Sequence, residues 1–293
     1  MSERALAPRF VGALRGETIK LTRQLSLWLM LGGSLLLLGV IVVAISGGSN
    51  FKPLLESDPT KWAYDKLLVF GTIFQIGSGI FLLIFGARLF GMEYSSGTIR
   101  VIYARGVGRL QLMLAKMVDL AAVGVLLLIG YCVVVGAILL LLINAVHGNL
   151  DPVGKISSGF WQDVGRWAAV MGISMGLAIL LAAAAAGLGR SLAFALAAAL
   201  AFYPVDNFLN ILEVLGARAT GHNHPWFDIS AYQLSANLNV VLTFWEPGHE
   251  SRPAFSSPLV SVDLTHTLVV VAVYAALFAA IAVVRAVRPD VLE

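Results

Sequence analysis

Stretches without Asp, Glu, Lys or Arg recur six times along the chain. Five of them are 19 to 27 residues long, and a helix needs about 20 apolar residues to cross a bilayer core. The sixth stretch, 191–205, reaches that length only by continuing past Asp206 to Leu212. The pattern therefore predicts six transmembrane helices, the fifth with a broken outer end. We place them at 26–46, 67–90, 117–146, 165–188, 191–212 and 264–285.

The composition supports a lipid environment for these helices. Hydrophobic residues make up 58% of the 293 residues and charged residues 13%, against roughly 25% charged in a soluble domain. Strand-type alternation is absent, which argues against a membrane barrel. The fold class is therefore an all-α polytopic membrane protein, and disordered, collagen-like and nucleic-acid-binding chains are excluded. The single cysteine, Cys132, excludes an internal disulfide framework.

The distribution of positive charge predicts the orientation. With six spans, 13 of the 20 Lys and Arg residues fall on one side of the membrane, and 11 of the 17 acids fall on the other. Positive residues are enriched in cytoplasmic loops. We therefore expect both termini to be cytoplasmic in a multi-pass membrane protein.

The segment before the first span predicts a separate element at 8–25. Val11, Leu14, Thr18, Leu21 and Leu25 recur at spacings of three and four, and basic residues lie off this stripe. The pattern is typical of a basic amphipathic helix in the headgroup plane. An ordinary cytoplasmic extension of the first span is the alternative.

The largest outer segment, 206–263, follows Pro204 and predicts a cap over the outer mouth of a single domain, 1–293. We predict a short helix at 207–215. The whole segment is too short to form an enzyme domain with its own core. His222, His224, Asp228 and His249 lie in this segment. Their spacing does not favour a metal site, and we predict none.

The cytoplasmic segment 90–116 is the most informative part of the chain. Gly91 and Gly97 flank a patch that predicts a tight bend around Glu93. A short helix after that bend can be presented to a cytoplasmic partner. The alternative is a solvated loop that follows only the positive-inside rule.

A run in this segment resembles the permease subunits of type-2 ABC transporters. Those subunits commonly show a Glu, then Gly-Thr-hydrophobic-Arg, then an Arg-Pro-Val-Ser-Arg-like turn and a Lys. The matching positions here are Glu93, Gly97, Thr98, Ile99, Arg100, Arg105, Arg109 and Lys116. The chain departs from the pattern at Gly106 and Gly108, which leaves the shape of the turn open. The basic run Glu17 to Arg23 and the ending Arg285-Ala-Val-Arg288-Pro-Asp290 resemble the same family.

The resemblance implies partners and roles. The first cytoplasmic loop would form a coupling helix on a separate ABC ATP-binding subunit, which would carry ATP and Mg²⁺. Two permease chains, identical or related, would form the pathway, with export as the expected direction. The residues implied at or near the ATPase contact are Glu93, Gly97, Thr98, Arg100 and Arg105. No cofactor is expected in this chain, because the run from Gly148 to Lys155 has the wrong spacing for a phosphate loop.

Two polar residues within or near the spans are candidate pathway residues. Gln75 lies in the middle of the second span, where it can line a pathway or bond a neighbouring helix. Asp119 lies three residues after Lys116, so we expect an ion pair between them near the membrane surface. Two other classes stay open at this point. One is a six-span enzyme or assembly factor that works without ATP, and the other is a proton-coupled carrier, although inverted repeats are not evident.

Overall fold

The described part of the chain is helical, in a computed structural model that describes residues 10–46, 51–104, 106–245 and 256–287. Six of its helices are long and apolar enough to cross a membrane, which confirms the predicted fold class. They are α2 (Leu25–Ser46), α4 (Pro59–Ser95), α6 (Arg109–His147), α8 (Ser158–Gly189), α9 (Leu192–Thr220) and α12 (Leu264–Val287). Six short helices connect or precede them: α1 (Phe10–Thr22), α3 (Phe51–Ser57), α5 (Thr98–Ala104), α7 (Asp151–Gly154), α10 (Trp226–Ser230) and α11 (Leu234–Val240), followed by a 3₁₀ turn at Val241–Trp245.

The long helices extend further than the predicted spans. Helix α4 covers 59–95 against a predicted 67–90, and α6 covers 109–147 against 117–146. A charge-free stretch marks only the part of a helix that suits the bilayer core. The helix itself continues through charged turns, because its backbone hydrogen bonds form equally well in water.

The fifth span is continuous, so the predicted break after Pro204 is wrong. Pro204 lies inside α9, and the short helix predicted at 207–215 is the second half of α9. A proline removes only one backbone donor, and packed membrane helices tolerate this loss. The helix ends at Gly221, whose φ of 69° is the left-handed geometry that glycine favours.

Helices α4 and α8 form the centre of the bundle. Five consecutive alanines, 182–186, are all buried on α8, and small residues of this kind let membrane helices approach closely. Helix α6 is fixed to α4 where the Tyr131 hydroxyl donates to the Phe70 carbonyl at 2.6 Å. The rings of Tyr131 and Phe74 stack there, with centroids 4.5 Å apart.

The bundle has two ends, named here the α5 end and the α11 end. At the α5 end, α4 and the start of α9 meet so closely that a Cβ on Gly91 would lie 2.9 Å from the Leu192 Cα atom. The Leu192 amide donates to the Ser95 hydroxyl at 3.0 Å. Gly91 is therefore a packing position inside α4 and not part of a bend.

At the α11 end, polar side chains join α9 to the segment that follows it. Asp206 accepts the backbone amide of Ser235 at 2.6 Å, in the first turn of α11. Gln233 donates to Glu213 at 2.6 Å and accepts from Asn210 at 3.1 Å. These bonds hold α11 against the second half of α9. The role of this segment as a cap over a pathway stays a prediction.

Helix α1 forms within the predicted range 8–25, and its buried side coincides only in part with the predicted apolar stripe. Glu17 and Leu21 are its buried residues, whereas Val11 is 71% exposed. The helix packs against α6 through a partly polar side. Its position in the headgroup plane stays a prediction.

Candidate functional site

Ionisable side chains from three helices meet at the α5 end. We call this group the ionic cluster. Its members are Glu17 and Lys20 of α1, Glu93 of α4, and Lys116 and Asp119 of α6.

Lys116 is the centre of the ionic cluster. Its side chain is 3% exposed, and Nζ lies 2.8 Å from Glu93 Oε1 and 3.1 Å from Glu17 Oε2. Nζ also donates to the Leu89 carbonyl at 3.0 Å. The contact with Glu17 is an ion pair and not a hydrogen bond. Lys116 therefore joins α1, α4 and α6 through one atom.

Glu93 lies inside the last turns of α4 and not in a bend. It is 5% exposed, and its Oε1 atom receives both Lys116 and Lys20, the latter at 2.5 Å. Burial alone would lower the pKa of Lys20. The hydrogen bond and charge of Glu93, with the charge of Glu17, raise that pKa above its ordinary value. The Glu93 carboxylate is thus engaged with two lysines of its own chain.

The prediction that Asp119 forms an ion pair with Lys116 is wrong. The Oδ1 atom of Asp119 accepts from the Thr18 hydroxyl at 2.6 Å, and no ion pair joins it to Lys116 within the described residues. Two carboxylates on neighbouring helices draw Lys116 away from its own helix. Asp119 therefore ties α6 to α1, and its predicted place on a pathway stays a prediction.

Helix α5 stands next to the ionic cluster after a tight turn. Helix α4 ends at Ser95, and Gly97 takes a φ of 70° before α5 begins at Thr98. Gly97 is therefore part of the bend, as predicted, because few other residues adopt this geometry. The Ser96 and Thr98 hydroxyls lie 2.9 Å apart across the turn.

One side of α5 packs inward and the other is exposed. Ile99 is 7% exposed, whereas Val101 is 54% exposed. Thr98 and Ala104 are exposed on the same side as Val101. A cavity of about 30 Å³ lies between Ile99 and the ionic cluster, which is room for about one water molecule. The exposed side presents small and apolar groups outward.

Two of the predicted contact residues lie partly or wholly outside the described residues. Arg100 belongs to α5, but its side chain is outside them, and Arg105 is entirely outside them. Gly106 follows with a φ of 83°, which a proline cannot adopt. The turn between α5 and α6 therefore has a different backbone from a turn with proline at this position.

The other predicted polar residues lie away from the ionic cluster. Gln75 donates to Asn239, in α11, at 3.5 Å, so it bonds a neighbouring element. His224 pairs with Asp228, and His249 lies outside the described residues. Among the residues that the structure describes, no group of three or more His, Cys, Asp or Glu side chains could hold a metal ion.

Comparison with known families assigns the class of this protein. A family model described as "ABC-2 family transporter protein" matches residues 13–206, about two thirds of the chain. The chain belongs to this family and is a membrane permease of the ABC transporter type. The matched region runs from α1 into α9, so it includes the ionic cluster and α5.

One curated relative is similar to the chain over most of its length. It is "Uncharacterized protein YhcI" of Bacillus subtilis (strain 168), 26% identical over 225 residues. The similarity covers 75% of this chain and 65% of the relative. The chain thus aligns with slightly less than two thirds of that relative.

Proposed function

We propose that this chain is the membrane half of an ATP-driven transporter, moved by a separate ATP-binding subunit that binds at α5. The observation that carries the proposal is the position of α5. It presents an exposed face outward and stands directly next to a buried ionic cluster that joins three helices. The partner would hold ATP and Mg²⁺, and this chain would have no catalytic site of its own.

The geometry supports transmission of a rigid-body movement. A push on the exposed side of α5 would reach α4 through the short turn at Gly97 and the packed side chain of Ile99. Lys116 would then carry the displacement to α1 and α6, because its ammonium group bonds both Glu17 and Glu93. Packed elements move as units and do not deform continuously.

The sequence-predicted residues would contribute to the proposed contact in different ways. Thr98 is exposed and would meet the partner directly, together with Val101 and Ala104. Glu93 is buried and would act indirectly, by fixing the end of α4. Gly97 would set the angle of α5, and Arg100 and Arg105 would supply positive charge at the same surface.

A second permease chain, identical or related, would complete the pathway. Helix α9 supports this proposal, since only 17% of its most apolar 18-residue stretch is buried, against 67% of the corresponding stretch of α8. Exposed apolar side chains on α9 include Val205, Phe208 and Ile211. A partner chain would cover this face.

The direction and location of the transporter follow from the family resemblance and the charge distribution. We propose export across a bacterial-type plasma membrane with both termini in the cytoplasm. The α5 end would then face the cytoplasm, where ATP is available. Asp119, the acid on which a proton-coupled carrier would depend, is bonded to Thr18 at the α5 end.

A charged substitution on α5 tests the proposed contact. We expect Val101→Asp to reduce co-purification of the ATP-binding subunit at least about tenfold, since burying an unpaired carboxylate in an interface costs roughly 2 kcal/mol or more. The measurement is the ratio of the two proteins after affinity purification in mild detergent.

The matched control is Val11→Asp on α1, where the valine is also exposed and lies away from α5. We expect this variant to retain the subunit. Equal retention by both variants would contradict docking at α5.

A further inference from the structure

A second cavity opens at the α5 end, between α1 and the last turns of α4. Its volume is about 130 Å³. Its polar lining consists of Lys20, Gln24, Arg88, Glu93, Ser96 and Thr98, and its apolar lining of Phe85, Leu89 and Met92. The Glu93 carboxylate is ion-paired with Lys20 and Lys116, so the cavity is amphipathic and Arg88 is the lining cation that no acid balances within the described residues.

Arg88 is a cation without an anionic partner in the part of the chain that the structure describes. Its Nε atom donates to the Met92 sulfur at 3.3 Å, and a thioether is a weak acceptor. A guanidinium has five N–H donors arranged to fit carboxylate or phosphate oxygens. Gln24, across the cavity, likewise has no side-chain hydrogen bond among the described residues.

The surroundings of the cavity are typical of the lipid headgroup level. Met92 is 44% exposed, and Leu25 and Leu29 on the start of α2 are 70% and 65% exposed. Trp28 is 50% exposed, and its indole N–H donates to the Thr22 carbonyl at 2.9 Å. Exposed tryptophans are enriched where a membrane span meets the headgroup region.

We propose that this cavity binds the phosphate group of an anionic phospholipid. The Arg88 guanidinium would donate to two phosphate oxygens, and the Gln24 amide would add a donor beside α1. One acyl chain would lie along Leu89 and Met92. This apolar wall favours a lipid over free phosphate, which has no group to place against it.

The bound lipid would connect α1 and α4 in addition to the ion pairs that Lys20 and Lys116 form there. Lys20 lines the cavity and also contacts Glu93, so the headgroup would sit beside the ionic cluster. The inference goes beyond the proposed transport function, because it needs no ATP-binding partner.

Lipid titration of the purified chain tests the site. The detergent-purified, delipidated protein is titrated with short-chain phosphatidylglycerol or phosphatidylcholine, and bound lipid is counted by native mass spectrometry. We expect Arg88→Gln to weaken phosphatidylglycerol binding about tenfold, because a charge-assisted hydrogen bond is lost. The control is Arg15→Gln, which removes an exposed charge outside the cavity, and we expect it to change binding less than about twofold.

Two results would overturn the proposal. Equal losses in Arg88→Gln and Arg15→Gln would show only general attraction to anionic lipid. Displacement of the lipid by inorganic phosphate at equal concentration would identify a soluble anion as the ligand. If Arg88→Gln does not fold, the wild-type protein is titrated with both lipids in the presence of inorganic phosphate. Saturation by one phosphatidylglycerol per chain, with weaker binding of phosphatidylcholine, supports the site, and unsaturated or equal binding of the two lipids rejects it.

Discussion

Lys116→Met is expected to lower the free energy of unfolding by about 3–5 kcal/mol, the cost of removing one partner from a buried ion pair. The Lys116 side chain is 3% exposed and is ion-paired with both Glu17 and Glu93. Methionine fills a similar volume but leaves the two carboxylates to share Lys20. The measurement is chemical or thermal unfolding of the purified protein in detergent.

Lys52→Met provides the control for this substitution. Lys52 is 59% exposed and lies 3.9 Å from Glu56, so its loss should cost less than about 1 kcal/mol. Adding Glu93→Gln to Lys116→Met should recover part of the lost stability, because Lys20 then has one buried carboxylate to balance instead of two. A Lys116→Met protein as stable as Lys52→Met would contradict a structural role for the ionic cluster.

Gly91→Val is expected to separate α4 from the start of α9 and to cost about 1–3 kcal/mol, the usual range for overpacking a close contact. A Cβ at Gly91 would lie 2.9 Å from the Leu192 Cα atom and 3.3 Å from its nitrogen. Because these are backbone atoms, no side-chain rotation can relieve the clash. The shift would also weaken the bond from Leu192 to Ser95.

Gly79→Val is the matched control on the same helix. A Cβ at Gly79 meets no atom within 4 Å, so both variants carry the same change in helix propensity and only Gly91→Val carries the clash. Unfolding of the two variants is compared under the same conditions. A similar loss of stability in both would contradict close packing of α4 on α9.

The spans were predictable because transfer into a bilayer imposes a strong and local requirement on the sequence. Each long helix contains a run of apolar residues that composition alone identifies. The ends of the helices were not predictable in this way, since charged turns such as those around Lys61 and Asp65 still form helix. The continuity of α9 through Pro204 was not predictable either, because a proline in a helical pattern more often ends the helix than lies inside it.

The α5 region was predictable as a short helix after a bend, because Gly97 and the family motif mark it. The ionic cluster was not, because its members are far apart in sequence. Lys20 and Glu93 are 73 residues apart, and their pairing follows from how α1 packs on α6. A lysine close to the start of an apolar span, such as Lys116, is the sequence signal that points to such a cluster.

Photo-crosslinking from α5 tests the central claim most directly. A benzoylphenylalanine is placed at Val101, or at Val11 as the control, and the tagged protein is irradiated in its native membrane. We predict a covalent adduct between position 101 and an ATP-binding protein, and no such adduct from position 11. Efficient labelling of the stable protein at position 101 without any ATP-binding protein among the adducts would contradict the account.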